Sequence, residues 1–226
     1  MALLAFLAYN AKLRLLPKKF YGQSAEDAIL QILLPEKNGV YIDIGCGNPI
    51  KTSNTFVFYK RGWKGVVVDP ISLNQKLFRI LRPKDKFILS VVGGKTPTTK
   101  FWEFRPYEYS TANQELAEDL ISTNRANLVD TKILPNLSMS DLNFPMSPQQ
   151  PSLLCIDVES LDFEVLLSND WDRILPRVIC VEELNSSTKP DQIESFLKSV
   201  GYTKYAWLGI SSIYLHKKLS REDLEI

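Results

Sequence analysis

Residues 40–49, VYIDIGCGNP, constrain the fold more than any other part of the chain. Val40 to Ile44 is apolar at all but one position, as in a strand covered on both faces, and it runs straight into a turn with two glycines one residue apart. Such a strand needs neighbours of its own kind, and the chain supplies them. β-rich runs follow at 65–69 (GVVVD), 86–92 (KFILSVV), 152–158 (SLLCIDV) and 176–182 (PRVICVE), with a closing pair at 202–208 and 212–217. Helical patterns over 24–34, 53–61, 72–81, 161–168 and 190–200 alternate with them, which predicts an α/β, doubly wound sheet. Gly62 and Gly201 stand where a left-handed cap stops a helix, and Pro83 follows the third helix. Residues 95–150 break the rhythm with an aromatic stretch (FWEFRPYEY, 101–109), a polar helical segment near 113–122 and a Pro/Ser-rich approach to the next strand. An insertion of this length at one edge of a sheet is expected to shape a ligand mouth.

The turn after the first strand sits where open α/β sheets bind nucleotide-like ligands. Counting from Gly45, Gly47 fits a dinucleotide fingerprint, but Ile50 occupies the place of its third glycine, and no Gly-Lys-Ser/Thr phosphate loop exists. An acidic Asp43 beside the turn repels a pyrophosphate and suits an ammonium or sulfonium group. The second strand ends on Asp69, followed by Pro70, and a carboxylate there can accept the hydroxyls of a ribose. Together these features point to S-adenosylmethionine, with Asp43, Gly45, Cys46, Gly47, Asn48, Asp69 and Pro70 as contacts. Cys46 is read as a small filler under the adenosine. Asn54, flanked by Ser53 and Thr55, can reach the methionine carboxylate from the start of the first helix, and helix capping explains the three equally well.

The stretch YIDIGCGNPIKTSNTFVFYKRGWKGVVVDP (41–70), with YGQSAEDAIL (21–30) before it and LLCIDVESLDFEVL (153–166) and VICVEELN (178–185) after it, resembles the FkbM family of S-adenosylmethionine-dependent methyltransferases. The resemblance covers about residues 20 to 218. It implies a class I methyltransferase (Rossmann-like) fold, whose seven-stranded sheet has an antiparallel last strand, and usually methyl transfer to a hydroxyl oxygen of a sugar or secondary metabolite. One departure is Ser160, which stands where the family usually has glycine after Asp-Val-Glu.

Asp157 and Glu159 lie two apart at the end of a strand, and Glu182 ends its expected neighbour, so three carboxylates converge at the sheet's carboxyl edge. Unpaired, they call for a proton, a cationic partner or a divalent cation, Mg²⁺ or Mn²⁺ suiting such hard oxygen ligands. Asp157 is the first choice for catalytic base or metal ligand, with Glu159 and Glu182 as its partners; helix capping or a lysine partner is the competing role for the two glutamates. Asp162 and Glu164 read as solvated acids in a helix's first turn. Ser24 with Asp27 reads as a helix N-cap, although QSAED also resembles a family segment near the cofactor. Phe101, Trp102, Tyr107 and Tyr109 suit either an acceptor site or an edge-strand core.

Composition removes other classes. A single histidine, His216, leaves no Ser-His-Asp triad, Cys-His pair or multi-histidine zinc site, and its place in the last strand reads as structural. Lys+Arg 27 against Asp+Glu 26 gives a net charge of +1, with no field to hold a nucleic acid. Three widely spaced cysteines, Cys46, Cys155 and Cys180, fit free thiols and a cytoplasmic protein. The apolar run from Ala2 to Tyr9 is far below the roughly 18 residues of a membrane span. The expected organisation is an N-terminal amphipathic helix in 1–20, a methyltransferase domain over 21–218 and a tail at 219–226. The helix packs on the domain, on a second subunit in a homodimer, or on an anionic membrane surface. The expected activity is O-methyl transfer to a neutral hydroxylated acceptor, a small molecule or glycosyl unit, and the rival is a cofactor-binding module without transfer activity.

Overall fold

A computed structural model describes residues 20–94, 96–183 and 192–218. The expected N-terminal helix, apart from residue 20, and the tail lie outside the described residues. The elements in chain order are α1 (Glu26–Leu33), β1 (Val40–Ile44), α2 (Phe56–Arg61), β2 (Lys64–Asp69), α3 (Ser72–Leu81), β3 (Lys86–Leu89), β4 (Val91–Val92), β5 (Thr98–Arg105), α4 (Gln114–Ser122), β6 (Asn127–Leu137), β7 (Ser152–Ile156), α5 (Asp162–Leu167), β8 (Val178–Glu182), α6 (Gln192–Ser199), β9 (Tyr202–Leu208) and β10 (Ser211–His216).

Seven strands form one sheet in the order β3-β2-β1-β7-β8-β10-β9. The pairs from β3 to β8 are parallel, and β10 runs antiparallel to both β8 and β9. This is the class I methyltransferase arrangement, a Rossmann-like sheet with its last strand reversed. Both faces are buried, and period-two alternation divides them. Ile42, Ile44, Val66, Val68, Leu154, Ile156, Ile179 and Val181 enter one core. Tyr41, Val67, Leu153, Cys155, Val178 and Cys180 enter the other, with Leu30 and Leu33 of α1 and Phe58 of α2. Gly62, at φ 101°, closes α2 as expected, its N–H bonding back to Phe58 and Tyr59.

Two expectations are corrected. The run 86–92 is two strands: Leu89 pairs with Asp69 in the main sheet, whereas Val91 pairs with Asn136 in a second sheet, ordered β4-β6-β5. Ser90 makes the crossing, its hydroxyl donating to the carbonyls of Val91 and Pro135 at 2.8 and 2.9 Å. The insertion also contains a long strand, β6, that the sequence did not announce. Its residues are mostly exposed, so no apolar alternation marks it. Trp102, Phe104, Ala117, Leu120 and Ala126 give this layer a small core of its own.

Candidate active site

Parallel strands end together, so β1, β2, β7 and β8 bring their last residues to one edge. A cavity of about 730 Å³ opens there, within the range of a cofactor-sized pocket. Gly45, Cys46, Gly47, Asn48, Asp69, Pro70, Asp157, Glu159 and Glu182 all line it. Seven lining residues that the sequence reading left unassigned, Ile71, Leu73, Asn74, Leu77, Ser90, Val91 and Val92, complete the wall on the β2–β3 side.

Gly45 is required by contact. At φ 76° it passes so near the next strand that an added Cβ would lie 1.7 Å from the Asp157 carbonyl oxygen. Its N–H donates to Val68, and the Asp157 N–H donates to Ile44, so the turn is pinned from both sides. Asn48 explains the missing third glycine: its side-chain oxygen accepts from the N–H groups of Ile50 and Lys51, folding the chain away from a helical entry.

The Asp69 carboxylate accepts from Gly47 N–H on Oδ2 at 2.9 Å, and from Ile71 N–H and the Asn74 amide on Oδ1 at 2.7 and 3.0 Å. Burial pushes this carboxyl up to about 6, against those three bonds. With roughly four lone-pair sites in all, Asp69 keeps one for a ligand on Oδ2.

Asp43 and Asn54 are placed off the cavity wall. Asp43 takes the Thr55 hydroxyl at 2.5 Å, and its carboxyl is raised by burial despite the Arg82 charge. Arg82, fully buried, donates to Asp85, Tyr41, Thr55, Ser53 and the Pro49 carbonyl, with its guanidinium among the rings of Tyr41, Tyr59 and Phe78. This network fastens the underside of the glycine turn to α2 and to the end of α3, and it occupies the Ser53 and Thr55 hydroxyls. Neither caps α2. Asn54 donates to Cys180 Sγ, and its oxygen is buried without a partner. Nothing in the local pattern of RPKD (82–85) marks Arg82 as a buried cation.

The three catalytic candidates do converge. Asp157 faces the cavity's solvent from an otherwise enclosed position, and burial with the Asp43 and Glu26 charges moves it up to about 6. Glu159 rises to about 8 through burial and then the Asp157 and Asp162 charges. Glu182 is pushed up to about 10 by burial and by Asp157, Asp162 and Glu159, and its Oε2 has no partner. Asp162 is not a solvated acid: it is buried, accepts the Val158 N–H at 3.1 Å, and rises to about 7. Glu164 is exposed, as expected. Among the described residues no group of three or more His, Cys, Asp or Glu is arranged to hold a metal ion, so the carboxylates do not form the cage that Mg²⁺ or Mn²⁺ would need.

Glu159 and Ser160 take consecutive left-handed conformations, φ 54° and 77°. The second explains why glycine suits position 160. Thr111, from the insertion, donates its hydroxyl to the Glu159 carbonyl at 3.1 Å and so ties the two layers together. Phe101, Tyr107, Glu108 and Tyr109 line the cavity from that layer, whereas Trp102 belongs to its core. Gln23 also lines it. Ser24 does not cap α1; the Glu26 and Asp27 carboxylates reach back instead to the N–H groups of Ser24 and Tyr21. Cys46 lines the cavity as a buried thiol whose pKa burial and the Asp69 charge hold well above normal, which fits a filler and not a nucleophile.

A family model described as "Methyltransferase FkbM domain" matches residues 43–204. The chain belongs to the FkbM methyltransferase family. Methyl transfer is thus its activity class, and S-adenosylmethionine the methyl source the family implies. The cavity of this FkbM domain fits that cofactor in size, in its glycine turn and in the free acceptor site of Asp69. Among solved structures, the precorrin-6y C5,15-methyltransferase of Geobacter metallireducens GS-15 is similar to it at 12% identity and a TM-score of 0.46, covering 89% of this chain and 92% of that one. No curated protein matches the chain. No helix among the described residues of the FkbM domain is long and apolar enough to cross a membrane.

Proposed function

We propose that this FkbM methyltransferase methylates a hydroxyl oxygen of a sugar, glycoside or hydroxylated secondary metabolite. The observation that carries the reading is the meeting of Asp157, Glu159 and Glu182 in the same cavity as the Gly45–Gly47 turn and Asp69. S-adenosylmethionine, when bound, supplies an electrophilic methyl on a sulfonium sulfur, which leaves as a neutral thioether. Gly45 to Asn48 and Asp69 would hold the nucleoside, Asp69 through its remaining acceptor site. Asp157 takes the acceptor's proton as the oxygen–carbon bond forms: with its pKa near 6 it is ionised at neutral pH and still basic for a carboxylate. Glu159 and Glu182 hold protons at that pH and orient the acceptor by hydrogen bonds. Phe101, Tyr107 and Tyr109 cover the apolar side of a sugar ring and narrow the access of water. The three free, buried cysteines support a reducing, cytoplasmic setting.

The test is a mass-spectrometric screen of sugars, glycosides, polyketide alcohols, catechols and small amines with S-adenosylmethionine. O-methylated sugars or aliphatic alcohols are expected. Methyl found on nitrogen, or confined to catechols, overturns the reading.

A further inference from the structure

The charge of the cavity wall is one-sided. Asp69, Glu108, Asp157, Glu159 and Glu182 line it, and no lysine, arginine or histidine among the described residues does. Asp69 is committed to the turn by three hydrogen bonds, which leaves four carboxylates around the remaining space. The methyl donor carries one sulfonium, one ammonium and one carboxylate, so its single net positive charge leaves Glu159 and Glu182 to a proton or to a second cation. Glu182 sharpens the imbalance: the residue is 8% exposed, and its Oε2, on a side chain that lines the cavity, has no hydrogen-bond partner. A buried carboxylate oxygen without a donor is costly, and a donor group on what binds beside Glu182 would relieve that cost.

We propose that the acceptor carries an ammonium group beside the hydroxyl that is methylated, as in an amino sugar or amino cyclitol, and that Glu108, Glu159 and Glu182 with Tyr107 and Tyr109 recognise it. This rests on the O-methyl reading above and replaces a wholly neutral acceptor. An ammonium has donors only, so it satisfies several carboxylates at once, and aromatic faces hold it as well. Burial first, and then the neighbouring carboxylates, raise Glu159 and Glu182, which retain protons until a cation binds. The amine is a recognition group, and its nitrogen is not methylated.

The experiment compares methyl glucosaminide with its N-acetylated counterpart on protein saturated with S-adenosylhomocysteine, by calorimetry. Transfer to each is measured in parallel with S-adenosylmethionine. The free amine should bind about tenfold tighter or more, since charge-assisted hydrogen bonds replace neutral ones. Glu108→Gln, at an exposed position, should cut that preference several-fold. Equal binding, preference for the N-acetyl compound, or no binding of either overturns the proposal. O-methylation of both without preference removes only the amine requirement, whereas methyl on nitrogen removes the O-methyl reading itself.

Discussion

Asp69 Oδ2 accepts the N–H of Gly47 at 2.9 Å, so the carboxylate that ends β2 fixes the turn that ends β1. One side chain therefore shapes the glycine loop and lines the cavity. Asp69→Ala should weaken S-adenosylhomocysteine binding by about 1.5 to 3 kcal/mol, the value of charge-assisted hydrogen bonds. Calorimetry measures it, and an unchanged Kd would remove Asp69 from the site.

Ser160 adopts φ 77° immediately after Glu159 at φ 54°. A non-glycine residue there carries roughly 1 to 2 kcal/mol of strain, partly offset in Ser160→Gly by the greater freedom of glycine in the unfolded chain. Ser160→Gly should raise Tm by about 1 to 3 °C. Ser160→Val should lower it, because β-branching is worse tolerated at positive φ.

Arg82 is the only cation in a buried set with Asp43, Asp85, Tyr41 and Thr55 among the hydrogen bonds described. Removing it leaves buried carboxylates without their counter-charge, so Arg82→Met should cost about 3 to 5 kcal/mol in denaturant unfolding. Arg82→Lys should not restore that loss, since an ammonium cannot span five acceptors.

The raised carboxyls set the pH response. Asp157 (about 6), Asp162 (about 7), Glu159 (about 8) and Glu182 (about 10) hold protons in the folded state that they release in the unfolded state above roughly pH 4. The folded state thus binds more protons, and stability falls as pH rises through those values. The ligand-free protein should melt higher at pH 6 than at pH 8, and Glu182→Gln should flatten the difference. Activity should run the other way near pH 6, rising as Asp157 ionises.

Chelation tests the metal question. With no metal-holding group among the described residues, transfer should survive exhaustive EDTA treatment. Asp157→Asn should lower kcat by about 10² to 10⁴, the contribution of a positioned base. EDTA-sensitive transfer restored by Mg²⁺ or Mn²⁺ would reverse the first statement and make Asp157 a metal ligand in place of a bare base.

The cavity wall is legible because it is built on strand ends. Strand period, terminal acid and glycine turn are all sequence-local, so Gly45, Gly47, Asp69, Asp157 and Glu182 reach the cavity as the alternation requires. Asp43 shares that alternation and yet is turned inward, because Arg82, 39 positions on in the sequence, reaches the same buried space. The sequence offers no local sign of such a distant partner. Asp162 was misread for a related reason: a first-turn acid looks solvated until the Val158 N–H and the neighbouring carboxylates are placed around it. β6 escaped notice because a strand exposed along most of its length needs no apolar alternation.

The hydrogen bond from Thr111 to the Glu159 carbonyl has a consequence for engineering. The second sheet is tied to the first by the Ser90 hydroxyl on the Pro135 carbonyl and by Thr111 on the Glu159 carbonyl. Under the proposed acceptor reading, acceptor preference should be exchangeable as a cassette: a donor segment that keeps those anchor positions should transplant between chains of this kind, while one lacking Thr111 should leave the Glu159–Ser160 loop without its tie to the second layer.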